Sequence, residues 1–96
     1  MSGTAPVWPD GSVNSDAYAQ AKRCFEIIEA ALTELGAGMQ HVVRTRTYVT
    51  GVEWVEAVSR AHHEALGEVR PAATMVIARL LNEHWKVEIE AEAVIP

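Results

Sequence analysis

Two sets of charged side chains recur at a spacing that could support chemistry. Glu88, Glu90 and Glu92 stand at alternate positions, and Arg44 and Arg46 do the same. In extended backbone that spacing puts each set on one strand face. Two guanidinium groups side by side can bind an anion or neutralise a carboxylate row across a sheet or a subunit boundary. Pairing is the plainer reading. Exposed pairs contribute only about 0–1 kcal/mol, but they fix register and partner. For the glutamates the plain reading is the polar side of a half-buried strand, because alternation alone produces it.

The remaining reactive types are weaker candidates. His62 and His63 are adjacent, so on a helix they point about 100° apart and cannot share one metal ion. His62 is expected at the packing face and His63 in solvent. His41 and His84 fall at strand ends without a partner at ligand spacing. Cys24 lies on an apolar helical stripe and reads as a small buried hydrophobe, since a nucleophile needs exposure and a base. Trp54 and Trp85 open elements and read as packing anchors. Trp8 sits in a Pro-rich stretch where it is expected to be exposed.

The elements that must position these residues can be read from periodicity. Residues 1–15 hold Gly3, Pro6, Pro9, Gly11 and Asn14 and read as a loop. From Asp16 to Leu35, Ala17, Ala21, Cys24, Phe25, Ile28, Ala31, Leu32 and Leu35 recur every three or four residues, which predicts a helix. Ser15 or Asp16 can cap its start, and Gly36 stands where a left-handed residue would end it. His41 to Thr50 reads as a strand, with Val43, Thr45, Thr47 and Val49 on one face and Val42, Arg44, Arg46 and Tyr48 on the other. Thr50-Gly51-Val52-Glu53 has the capping-box pattern and opens a second helix to about Leu66, burying Val52, Val55, Val58, His62 or Ala61, and Leu66, with Gly67 ending it. Ala72 to Leu80 and Trp85 to Ile95 read as strands, and the link Leu81–His84 is short enough for a hairpin.

The order α, β, α, β, β predicts an α+β two-layer sandwich: a mixed sheet with two helices on one face. The other face, with Val42, Tyr48, Met75 and Ile77 among charged residues, then needs cover. That points to an oligomer interface. The 96 residues form a single domain, and a chain this short buries only about 60–65% of its unfolded surface. Its 49% apolar and 22% charged composition excludes a disordered chain. With 8 basic against 13 acidic residues the net charge is −5, which argues against a general nucleic-acid binder. No apolar run reaches the roughly 18–20 residues of a membrane span, so no membrane role is expected. Met1 to Pro9 lacks the pattern of a secretory signal, and the single cysteine fits a reducing, cytoplasmic compartment.

The second half of the chain resembles a known family. Arg70-Pro71-Ala72-Ala73-Thr74-Met75-Val76, then Ala78-Arg79-Leu80, then Val87-Glu88-Ile89-Glu90-Ala91-Glu92-Ala93 is similar to the C-terminal signature of the Rid (reactive intermediate deaminase), or YjgF-like, proteins. Gln20-Ala21, Ile27 to Leu32 and Leu35-Gly36-Ala37 resemble the family's first helix. Val42 to Thr45 and Tyr48 to Thr50 resemble its central strand, and Ser2-Gly3-Thr4 the end of an early strand. The resemblance implies the chorismate-mutase-like version of the sandwich and a homotrimer with small clefts between subunits. It also implies hydrolysis of enamines or imines such as 2-aminoacrylate, without metal or cofactor.

Carried over position by position, the resemblance makes Glu88 the cleft glutamate, a general acid/base that positions or activates water. Gly3, Ala73, Thr74 and Met75 match substrate-binding positions, Gly3 by letting backbone approach a ligand. The chain departs from the family in three ways. Members usually carry about two dozen further residues before Ser-Gly, forming a strand pair, whereas this sequence starts at Met1-Ser2-Gly3, so one sheet edge is expected to lack its usual neighbour. Ala73 occupies the place of the arginine that holds the substrate carboxylate, and Arg70 lies before Pro71 and is no simple replacement. The family's helix asparagine falls on Ser59. The expectation is therefore a small-molecule-binding member that is not a standard imine deaminase. The alternatives are an enamine or imine hydrolase working in the same intersubunit cleft and a non-catalytic interaction protein.

Overall fold

The computed structural model describes residues 3–95. Helix α1 (Ala17–Glu34) starts where its cap predicts. Asp16 keeps extended backbone, and its carboxylate accepts the Ala19 N–H at 3.0 Å. The helix ends as predicted too. Gly36 takes φ 77°, while its own N–H bonds to Thr33 O and that of Ala37 to Leu32 O. This double closure satisfies carbonyls that the helix would otherwise leave free. The predicted stripe is buried up to Leu32, with Ala21, Cys24, Ile28 and Leu32 almost wholly removed from water, but Ala31 is only half-buried and Leu35, the residue that closes the helix, is 57% exposed. Each large aliphatic side chain so buried stabilises the fold by about 1.5–3 kcal/mol.

A single 3-10 turn over Met39–His41 leads into β1 (Val42–Val49), so His41 precedes the strand. Its ring Nδ1 accepts the Gly38 N–H at 3.0 Å. The two-residue alternation holds from Thr45 onward: Thr45, Thr47 and Val49 are buried, while Arg46 and Tyr48 face the open side. It fails at the start. The ladder to the last strand is irregular between Val42 and Arg44, and Val42 is 3% exposed but Val43 47%. An extra residue in one strand flips every side chain before it. The expected faces of Val42 and Val43 are therefore exchanged.

The predicted second helix is divided. Val52–Trp54 form a 3-10 turn and α2 runs over Val55–Leu66. No side chain caps either start, so the capping box read at Thr50–Glu53 does not form. Val52 is 73% exposed rather than buried, because the tight turn aims it outward. Val58, Ala61 and Leu66 are buried as expected. Gly67 does cap α2, but with right-handed backbone, and the left-handed residue is Arg70 at φ 53°.

Strands β2 (Ala72–Ile77) and β3 (Val87–Ala93) flank β1 in the order β2-β1-β3, with β2 parallel to β1 and β3 antiparallel. This corrects the hairpin reading of Leu81–His84. The chain between β2 and β3 must pass β1, a distance of about 10 Å, or two strand spacings. A tight hairpin can only join neighbours. Register also moves two residues between faces. Met75 pairs with Thr47 and Ile77 with Val49, so both lie on the helix side, and Val76, opposite Tyr48, takes the place expected of them on the open face.

The two-layer α+β sandwich with a mixed sheet is otherwise as expected, with α1 lying over β3 and against α2. The N-terminal loop holds one piece of sheet. Thr4 exchanges both backbone hydrogen bonds with Ile89 (2.7 and 3.0 Å), which corrects the loop reading of residues 1–15 at that position. Ser2 of the Ser2-Gly3-Thr4 motif lies outside the described residues.

Candidate functional site

The parallel pairing of β1 with β2 leaves a cleft between the β2 edge and α2. Its volume is about 170 Å³, and Thr47, Ser59, His62, Ala73, Thr74 and Met75 line it. Ser59 and His62 are three residues apart on α2, so they share one helix face. His62 is held from two sides. Its Nε2 is 2.9 Å from Thr45 Oγ1, and Phe25 meets the ring edge-on with centroids 5.7 Å apart. Burial, with a smaller contribution from His63, pushes the His62 imidazole below its usual range. The ring is therefore neutral at neutral pH. Among the described residues no charged side chain lines this cleft.

Glu88 and Gly3 meet at the opposite edge. A methyl group built on Gly3 would run into the Glu88 carboxylate, so the absence of a side chain there is what lets the two approach. Just beneath, Cys24 donates its S–H to Thr4 O at 3.2 Å. Burial first, and the Glu88 charge second, push the thiol up to about 12. Cys24 is thus a packed thiol, not a nucleophile.

Between the edges runs the charged face that the alternation predicted. Arg44 Nη1 lies 4.0 Å from Glu92 Oε1, and the Tyr48 hydroxyl donates to Glu90. Arg46 is held above its ordinary range by Tyr48 first and by Glu90 and Glu92 after it. Arg44 is thus paired with Glu92, and Arg46 shares the same charged face with Glu90 and Glu92. His63 is exposed, His84 is 3.8 Å from Glu83, and Trp8 is 42% exposed beneath the Arg23 guanidinium, 3.9 Å from the ring centre. Among the described residues no three His, Cys, Asp or Glu side chains come together at metal-binding distance.

The structure therefore divides the five candidate positions. Ala73, Thr74 and Met75 share the β2 cleft with Ser59, while Gly3 and Glu88 share the β3 edge. About two strand spacings separate the edges within one chain. His62 was read only as a packing residue, and the structure makes it a wall of the cleft as well. Its three-residue spacing from Ser59 was the available signal. Thr45, the group that orients it, gave none beyond its inward position.

A model of the family described as Endoribonuclease L-PSP matches residues 1–95. The chain belongs to this family, the YjgF/Rid proteins. Relatives include an uncharacterised protein of Streptomyces coelicolor, 35% identical over 79 residues, which are 81% of this chain and 59% of that protein. The chain thus spans less than two thirds of that relative's length. A RutC family protein of Pyrococcus abyssi is 30% identical over 95 residues, covering 97% of this chain and 75% of its own. Among solved structures, a YjgF/YER057c/UK114 family member of Mycobacterium tuberculosis superposes with a TM-score of 0.87 at 34% identity, covering 99% of this chain and 76% of that one. A YjgF family protein of Neisseria meningitidis reaches 0.89 at 25% identity, with 100% and 77% covered. The resemblance drawn from Pro71 to Ala93 therefore holds across the chain, as does the chorismate-mutase-like fold.

Proposed function

We propose that this YjgF/Rid protein binds a small molecule in a site shared between subunits of a homotrimer, and that it is not a standard imine deaminase. One observation carries the reading: the candidate positions lie at opposite edges of one three-stranded sheet, with Ala73, Thr74 and Met75 at β2 and Gly3 and Glu88 at β3. A second copy docked edge to edge would bring one chain's cleft against its neighbour's Glu88. The exposed apolar residues Val76 and Ile77 on the open β2 edge support such docking. The family's description speaks of RNA cleavage, but a net charge of −5 favours a small ligand over a polyanion. No cofactor enters the proposal, and a cytoplasmic setting fits the buried, reduced Cys24.

Ala73 argues against hydrolysis of 2-imino acids. Losing one charge-assisted hydrogen bond costs about 1.5–3 kcal/mol, or roughly 10- to 150-fold in binding. The rate loss is larger where that bond also orients the substrate. The alternative, enamine or imine hydrolysis, draws support from Glu88, whose carboxylate stands against a glycine at the β3 edge.

A 2-aminoacrylate quench assay on the wild type, Ala73→Arg and Glu88→Ala, with sedimentation equilibrium on each, decides between them. The expected result is a trimer with near-background wild-type activity and some activity regained in Ala73→Arg. Strong wild-type activity abolished by Glu88→Ala would restore the deaminase. A clean monomer at micromolar concentration would end the shared-site reading.

A further inference from the structure

We infer that the cleft between β2 and α2 takes a small uncharged molecule carrying an amide or similar group that both donates and accepts hydrogen bonds, oriented by His62, Ser59 and Thr47. This rests on the small-molecule reading above and specifies its ligand class.

The lining carries the argument. The Thr47 and Ser59 hydroxyls, the His62 imidazole, the Ala73 methyl group and the Met75 thioether surround about 170 Å³ beside the backbone of Thr74, with no cation among them. Pockets for drug-sized ligands run to about 300–1,000 Å³, so this one suits a molecule of a few heavy atoms. A carboxylate entering it would lose water and gain no opposite charge, which strongly disfavours binding. The nearest arginine in register, Arg46 opposite Thr74, belongs with Thr74 to the open face, where Glu90 and Glu92 share its pocket.

A neutral amide meets none of that penalty. Hydroxyls offer both a proton and lone pairs, so Ser59 and Thr47 can serve either end of an amide. His62 adds directionality. With Nε2 committed to Thr45, the other ring nitrogen is the one available to a ligand, and the Phe25 contact fixes the ring plane. The neighbour's Glu88, if it faces the cleft, would repel an anion further.

The test compares two probes of nearly identical shape, 2-oxobutyramide and 2-oxobutyrate, titrated into the full chain while backbone amide resonances are followed by NMR. The amide is expected to shift Ser59, His62 and Thr74 and to bind at least about tenfold more tightly than the acid. Ala73→Arg is expected to reverse the preference. An acid that binds as tightly as the amide at these residues, or an Ala73→Arg variant with unchanged preference, overturns this inference and leaves the small-molecule reading standing. If neither probe moves the cleft resonances at tens of millimolar, the small-molecule reading falls with it. His62→Gln separates orientation from packing. Weaker amide binding with an unchanged melting temperature supports the assignment, and unchanged binding overturns it.

Discussion

Along its β3 edge the chain closes on itself, whereas along its β2 edge it does not. At β3, Thr4 pairs with Ile89, the Cys24 thiol anchors to Thr4, and α1 packs over the strand. Gln20 gathers the approach to that edge. It is fully buried, donates to Asn14 O and His84 O, and accepts the Lys86 N–H, so one side chain ties the N-terminal loop to the start of β3. At β2 only Met75 is half-buried, and Ala73, Thr74, Val76 and Ile77 remain exposed. The same sheet thus carries one edge that the N-terminal loop joins at a single residue pair and one with no strand beside it among the described residues. In the shared-site proposal, the first side is preorganised and the second is completed by a partner.

The sharpest way to break this contrast is to unfasten the closed edge. Gln20→Ala removes the bonds at three backbone groups in a buried place, and leaving such groups unsatisfied costs about 1–3 kcal/mol each before relaxation. We expect a net loss of about 3 kcal/mol. For a domain this small that lowers the melting temperature by more than about 10 °C. Calorimetry measures it, and a fall of only a degree or two would mean the loop is held by other contacts, such as Trp8 under Arg23.

The open edge should answer differently. Val76 is 38% exposed and points away from the helices. Val76→Lys is therefore expected to change the stability of the isolated chain by less than about 0.5 kcal/mol. A lysine on an edge strand opposes pairing with another chain, so association should weaken at least about tenfold. Sedimentation across a concentration series tests this. An assembly of unchanged strength would show that the open edge is not where copies meet.

These two edges were not equally legible in the sequence. Asp16, Gly36 and the α1 stripe announced the helix correctly, because capping chemistry and helical periodicity are local. The inward Thr45, Thr47 and Val49 were legible for the same reason. Topology was not. Two short apolar runs joined by Leu81–His84 read as a hairpin, and nothing local says that β1 lies between them. One irregularity beside Val43 then exchanged the faces of residues that strict alternation had placed. The candidate positions came from resemblance alone, and their division between two edges follows from strand order. His62 was half read: its apolar surroundings were evident, but its place in a cleft depends on how α2 stands over β2.

The smallest expected effect concerns His62, and it sharpens the contrast from the open side. Phe25 from α1 and Thr45 from β1 touch the ring, Thr47 from β1 and Ala73, Thr74 and Met75 from β2 line the cleft beside it, and the charge acting on it comes from His63 on its own helix. Burial lowers its affinity for a proton in the folded chain, while the unfolded chain titrates near the ordinary value of about 6.5. Below that pH the unfolded state binds more protons than the folded one, so stability falls as pH decreases. The contribution is whole above the unfolded value and is lost as pH drops through the lower folded one. His62→Gln keeps a hydrogen-bonding group near Thr45 but cannot titrate. We expect its melting temperature to depend less steeply on pH between about 6.5 and 5 than that of the wild type. Parallel curves would mean that the ring is hydrated in the free chain. The cleft would then be open to water rather than dry, and an anion would find it less hostile than the lining implies.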